Sequence, residues 1–170
     1  CTMNWSEAMA LLWAFELMSE RKADTREWAR LLASFPLFAD VGRRRLRKLV
    51  RSATFAEYVP GETVVARDDA EDALHVVLEG RARAIGGPAP HSLSVGDYFG
   101  ELGLVETRSP YRIVATQPLY VMRLPGSSVG RLARQHPALA VTLLRDLAGR
   151  LALAANTRIT AVPECSGTGT

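Results

Sequence analysis

Cysteine is almost absent from this chain: the only two, Cys1 and Cys165, stand at opposite ends. They show neither the spacing of a thiolate metal site nor the density of a disulfide framework, and a reducing, cytoplasmic setting is the simpler expectation. Lysine is as scarce, with Lys22 and Lys48 alone among 21 basic side chains, so arginine carries nearly all the positive charge. A net charge of +3 is too mild to argue nucleic acid by itself. Long apolar runs are missing. The nearest, Ala8 to Leu17, falls short of the ~20 residues a membrane span requires and is broken by Glu16.

Catalytic patterns are missing too. His75, His91 and His136 lie far apart in sequence, and none pairs with a cysteine or carboxylate at ligand spacing. No Gly-x-Ser-x-Gly elbow occurs, and Glu101 with Glu106 fits helix geometry better than paired acid–base work. The acidic turn from Arg67 to Asp72 lacks the spacing and the glycine of a calcium loop and reads as solvated. Nothing here demands an enzyme or a metal.

What is present is ordinary for a globular chain: 170 residues, 48% hydrophobic and 23% charged, enough for one main domain with flanking segments. The chain begins at Cys1 and not at methionine, which suggests an excised piece or a processed product whose effector domain lies in a missing neighbour. Residues 1–30 form an N-terminal helical segment, 31–155 the main domain and 156–170 a flexible tail of small polar residues. From Trp5 to Glu20, Ala8, Leu11, Leu12, Phe15 and Met18 recur at helical spacing. That stripe suits either a dimer or docking face, or packing on the chain's own core. A second helix is expected from Thr25 to Ser34, after which Pro36 restricts Phe35 to extended geometry.

The stretch from Gly42 to Ser52 holds Arg43, Arg44, Arg45, Arg47, Lys48 and Arg51, interleaved with Leu46, Leu49 and Val50. It reads as a basic helix for nucleic acid or an acidic partner, or as a solvated helix whose three apolar residues dock on the core. No aromatic interleaving supports single-strand stacking. From Thr54 to Leu124 the apolar period becomes two, punctuated by glycines. Strands are expected at Thr54–Val59, Thr63–Arg67, Ala73–Leu78, Arg81–Ile85, Ser92–Val95, Tyr98–Phe99, Arg112–Thr116 and Leu119–Leu124. Eight short antiparallel strands close most easily as a double-sheet jelly roll enclosing a pocket. Ser127 or Ser128 can cap a following helix to about Gln135, and Pro137 opens a longer one through Leu153 or beyond. The fold class is thus mainly β with flanking helices. No helix-turn-helix module follows.

One segment concentrates chemistry. In Phe99-Gly100-Glu101-Leu102-Gly103-Leu104, glycines would let backbone approach a ligand, and backbone N–H groups at a helix start suit an anion. Glu101 would accept from a sugar hydroxyl, while Arg108 and Arg112 could bond a phosphate. This segment, with the following Ile113-Val114-Ala115, resembles the phosphate-binding cassette of the cyclic nucleotide-binding domain family. The resemblance runs from about Leu31 to Leu153. Ser34-Phe35-Pro36-Leu37-Phe38 is similar to the family's entry motif, Tyr58-Val59-Pro60-Gly61-Glu62 to a strand turn, and Leu74 to Gly80 to the central strand and turn. It implies a regulatory domain binding cyclic AMP or cyclic GMP, with the last helix acting as a lid or dimer face; separately, the apolar stripes at Trp5–Met18 and Leu139–Leu153 make a homodimer the expected assembly. The implied ligand residues are Phe99, Gly100, Glu101, Leu102, Gly103, Arg108, Ser109 and Arg112. Ser109 stands where the family usually has the phosphate-binding arginine. The alternative is a nucleotide-free relative serving as an interaction or dimerisation module.

Overall fold

The computed structural model describes residues 24–87, 90–102, 104 and 108–159. The helix expected over Trp5–Glu20 and the tail from residue 160 lie outside the described residues. Helix α1 spans Thr25–Ser34, capped by the Asp24 carboxylate, which accepts from the Arg26 N–H at 2.8 Å. Phe35 is extended at φ −84° and ψ 137°, as Pro36 requires, and Pro36–Phe38 forms a 3-10 turn. Helix α2, Arg43–Arg51, buries Leu46, Leu49 and Val50 and leaves its cations at the surface or half-buried.

Eight strands follow: β1 Thr54–Tyr58, β2 Thr63–Val65, β3 Ala73–Glu79, β4 Ala82–Ile85, β5 His91–Leu93, β6 Tyr98–Phe99, β7 Arg112–Ala115 and β8 Leu119–Pro125. They make two antiparallel four-stranded sheets, ordered β1-β8-β3-β6 and β2-β7-β4-β5, which face each other as a jelly roll. Helix α3, Gly126–Gln135, and helix α4, Pro137–Ile159, complete the chain.

Strand β3 departs from simple alternation, since its first six residues are all buried. Leu74, Val76 and Leu78 pack with α1, α2 and α3, whereas Val77 packs inward against the other sheet. In β8, Tyr120, Met122 and Leu124 face the helices while Leu119 and Val121 face inward. The first sheet is thus covered on both faces, so its central strands are apolar apart from His75 and Glu79 on β3 and Arg123 on β8. Trp28 of α1 anchors the helical layer, its ring centroid 5.4 Å from Phe55 and 5.7 Å from Tyr120. Each such aromatic contact contributes about 0.5–1.5 kcal/mol beyond buried area.

The start of α3 differs from the serine cap expected. The helix begins at Gly126 behind Pro125, without a side-chain cap hydrogen bond. Asp72 takes that place from across the fold: its carbonyl accepts from Gly126 N–H at 3.0 Å, and its carboxylate lies where a Gly126 Cβ would stand, 1.6 Å away. A carboxylate at a helix start complements the positive dipole end. The acidic turn, expected as solvated, therefore has a packing role at its last residue.

Candidate functional site

Strands β3 and β6 meet where the barrel interior turns polar. His75, buried on β3, stacks on Phe99 of β6 with centroids 4.9 Å apart and planes at 1°. Gly100 follows with φ +87°, and a Cβ there would stand 2.5 Å from the Ala73 carbonyl oxygen and 3.0 Å from His75 Nδ1. What approaches this glycine is the chain's own β3, so the fold itself demands glycine here. Around this crossing lies a cavity of about 30 Å³. That is room for about one water, an order of magnitude below the ~300 Å³ at which small-molecule pockets begin.

Four of the sequence-predicted residues, Phe99, Gly100, Glu101 and Leu102, line this cavity, and Ser109 joins them from the β7 side. Glu101 is buried at 6% exposure and engaged. Gly103 lies outside the described residues. The two arginines are not brought in. Arg108 is exposed and donates from its guanidinium to the Asp68 carbonyl at 2.9 Å. Arg112 is exposed on β7, between Tyr111 and Ile113, whose side chains are buried in the barrel. Alternation along the strand puts its side chain on the outer face. Ser109 closes a local turn: its hydroxyl donates to the Tyr111 carbonyl at 2.9 Å, and its backbone exchanges 2.9 Å hydrogen bonds with Asp68 and Asp69.

Sequence reasoning missed Tyr111, which lines the cavity and is 7% exposed. Its ring lies against Gly87, where a Cβ would come within 2.3 Å, and His91 meets it edge-on at 5.4 Å. Its signal in the sequence is a bulky aromatic two residues after Ser109.

The electrostatics are acidic. Asp69, Glu71 and Glu101 line the cavity, and among the described lining residues there is no arginine or lysine. Arg123 on β8 reaches Glu71, with Nε and Nη2 both 2.5 Å from its Oε1. Glu71 Oε2 lies 3.4 Å from His75 Nε2. Burial pushes the His75 imidazole down to about 4, against the upward pull of Glu71 and with Arg123 adding to the fall. His75 is therefore neutral at pH 7, with Nδ1 buried and unpartnered among the described residues. Among those residues no cluster of His, Cys, Asp or Glu could hold a metal, and no helix is long and apolar enough to cross a membrane.

The architecture is a jelly roll with a glycine–glutamate turn at its pocket and helices on one outer face. The family model described as the cyclic nucleotide-binding domain matches residues 55–136, and this barrel segment belongs to that family. The chain is 29% identical over 99 residues to the cGMP-dependent 3',5'-cGMP phosphodiesterase A of Dictyostelium discoideum, spanning 58% of this chain and 11% of that protein. The cAMP-bound PfPKA-R fragment 141–441 superposes with a TM-score of 0.71 at 21% identity, over 82% of this chain and 48% of that one. The regulatory subunit of a cAMP-independent protein kinase A from Trypanosoma cruzi, bound to guanosine, superposes with a TM-score of 0.62 at 22% identity, over 74% of this chain and 46% of that one.

Proposed function

We propose that this is a regulatory domain that does not hold cyclic AMP or cyclic GMP through an arginine–phosphate pair, and that it acts through its helical layer as an interaction and dimerisation module. The carrying observation is the cavity. Its phosphate side offers Ser109 and a buried Tyr111 ring, with Arg108 and Arg112 both directed elsewhere. An anionic phosphate would meet three carboxylate-bearing residues there and lose a charge-assisted hydrogen bond worth roughly 1.5–3 kcal/mol. By its own description the Trypanosoma cruzi neighbour is cAMP-independent, so the fold is not tied to cyclic AMP. The dimer surface would be α4, where Val141 and Leu144 are 51% and 61% exposed. An effector would lie in a segment outside this chain.

A second reading, a sensor for cyclic AMP or cyclic GMP, is favoured by one observation. Glu101 sits buried beside Gly100 and Leu102 at the cavity, where the family resemblance puts a ribose contact. Binding would then require Tyr111 to swing out and Arg108 to leave Asp68. Thermal shift with each nucleotide separates the two readings. No shift at millimolar concentration supports the first, whereas a rise of the size expected when ligand stands at 100 times its dissociation constant, about 2.7 kcal/mol, establishes the second.

A further inference from the structure

The basic helix α2 does more than shed charge into solvent, because part of it lines a cleft. Between α2 and α3 lies a space of about 210 Å³, with Arg45, Lys48 and Ser52 on one wall and Ser128, Arg131 and Gln135 on the other. On each helical segment these positions fall at i, i+3 and i+7, a single face. Lys48 and Arg131 are exposed, and no aspartate or glutamate is among the described residues that line the cleft. Two helices therefore bring like charges to one cleft without a carboxylate between them. That arrangement is electrostatically unfavourable until an anion enters. Arg45 is held at one end by contact with His136.

We propose that this cleft binds an acidic peptide segment of a partner protein. The cations converge on a concave site instead of spreading over a plane, so single carboxylates on a flexible chain can reach them, while a flat bilayer cannot enter. The Ser128 hydroxyl and the Gln135 amide add neutral donors suited to carboxylate and peptide oxygens, while the Ser52 hydroxyl already donates to the Leu49 carbonyl at 2.7 Å. Leu49 and Leu132 form an apolar floor for side-chain methylenes. Alternate side chains of an extended peptide point the same way, so such a peptide can present several acids to one face of the cleft. The cleft lies on the helical layer, and this assignment does not depend on what the barrel holds.

The test is fluorescence anisotropy of the full chain with a labelled peptide of alternating glutamate and alanine. Binding should occur at low salt and weaken as salt rises. The pair Lys48→Glu with Arg131→Glu should lose at least ~10-fold in affinity, while Arg43→Glu with Arg44→Glu, the same charge change on the same basic segment outside the cleft, should lose less than ~3-fold. All four side chains are exposed, so melting temperatures should hold; if the reversed pair unfolds, Lys48→Gln with Arg131→Gln replaces it and should still lose several-fold. Equal losses for both pairs, or no peptide binding at low salt, would overturn the proposal. So would tighter binding of duplex DNA or of phosphatidylserine vesicles that the Lys48→Glu, Arg131→Glu pair abolishes.

Discussion

The Tyr98 hydroxyl donates to the Asp146 carboxylate, joining β6, the strand that leads into Gly100 and Glu101, to the middle of α4. Near its start α4 is also pinned by Leu139, which is 3% exposed within the helical core. Farther along, Val141 and Leu144 are exposed, and the Tyr98 bond gives α4 a polar tie to the barrel. Tyr98→Phe should raise amide exchange across the turns of α4 around Asp146 while leaving β3 protected. The expected stability loss is that of a charged hydrogen bond, about 1.5–3 kcal/mol. Unchanged exchange in α4 would show that packing alone holds it.

Tyr111 and Gly87 form a matched pair, ring on backbone. Gly87→Ala places a methyl 2.3 Å from Tyr111 Cε1, so the ring must move. Overpacking of this kind costs about 1–3 kcal/mol in chemical denaturation. Tyr111→Ala should cost more by itself, about 3 kcal/mol or above, because it opens a cavity. The two losses should not add: with the ring gone, Gly87→Ala becomes nearly neutral. Strict additivity would contradict the contact.

The buried imidazole sets a pH dependence. His75 is depressed to about 4 by burial first, so the native state favours its neutral form, while the unfolded chain takes up the proton near the ordinary 6.5. The contribution is fully present above pH 6.5 and is lost as pH falls toward 4, about 3 kcal/mol across that window. Urea melts at stepped pH measure it. His75→Gln should flatten the curve between those values, and an unchanged slope would place the titration elsewhere.

Much of this fold could be read from the sequence, for physical reasons that name particular residues. Pro36 forces Phe35 extended, and the run from Thr25 to Ser34 carries Trp28 and Leu32 on one face, so the first described helix came out with its bounds intact. The strands were recognisable by their apolar period and bounding glycines, although their ends moved by a residue or two where pairing stops. The helix cap was misjudged because Asp72 supplies it from 54 residues upstream, a contact no local pattern encodes.

The site was less legible. Gly100 and Glu101 were found by type, and both line the cavity. Ser109 was recognised as a departure, but the direction of Arg108 and Arg112 depends on strand register, which a one-residue slip inverts. Tyr111 escaped notice because its effect requires Gly87 and His91, distant in sequence, to meet it in space.

Calorimetric titration of the full chain with cyclic AMP and cyclic GMP, beside the variant carrying Ser109→Arg and Tyr111→Ala, tests the central claim most directly. The account predicts no measurable heat from the unaltered chain at millimolar nucleotide. It predicts a gain of affinity for at least one nucleotide in the variant, which restores a cation and vacates the ring's space. Micromolar binding by the unaltered chain, lost on Arg108→Ala or Glu101→Gln, would contradict it.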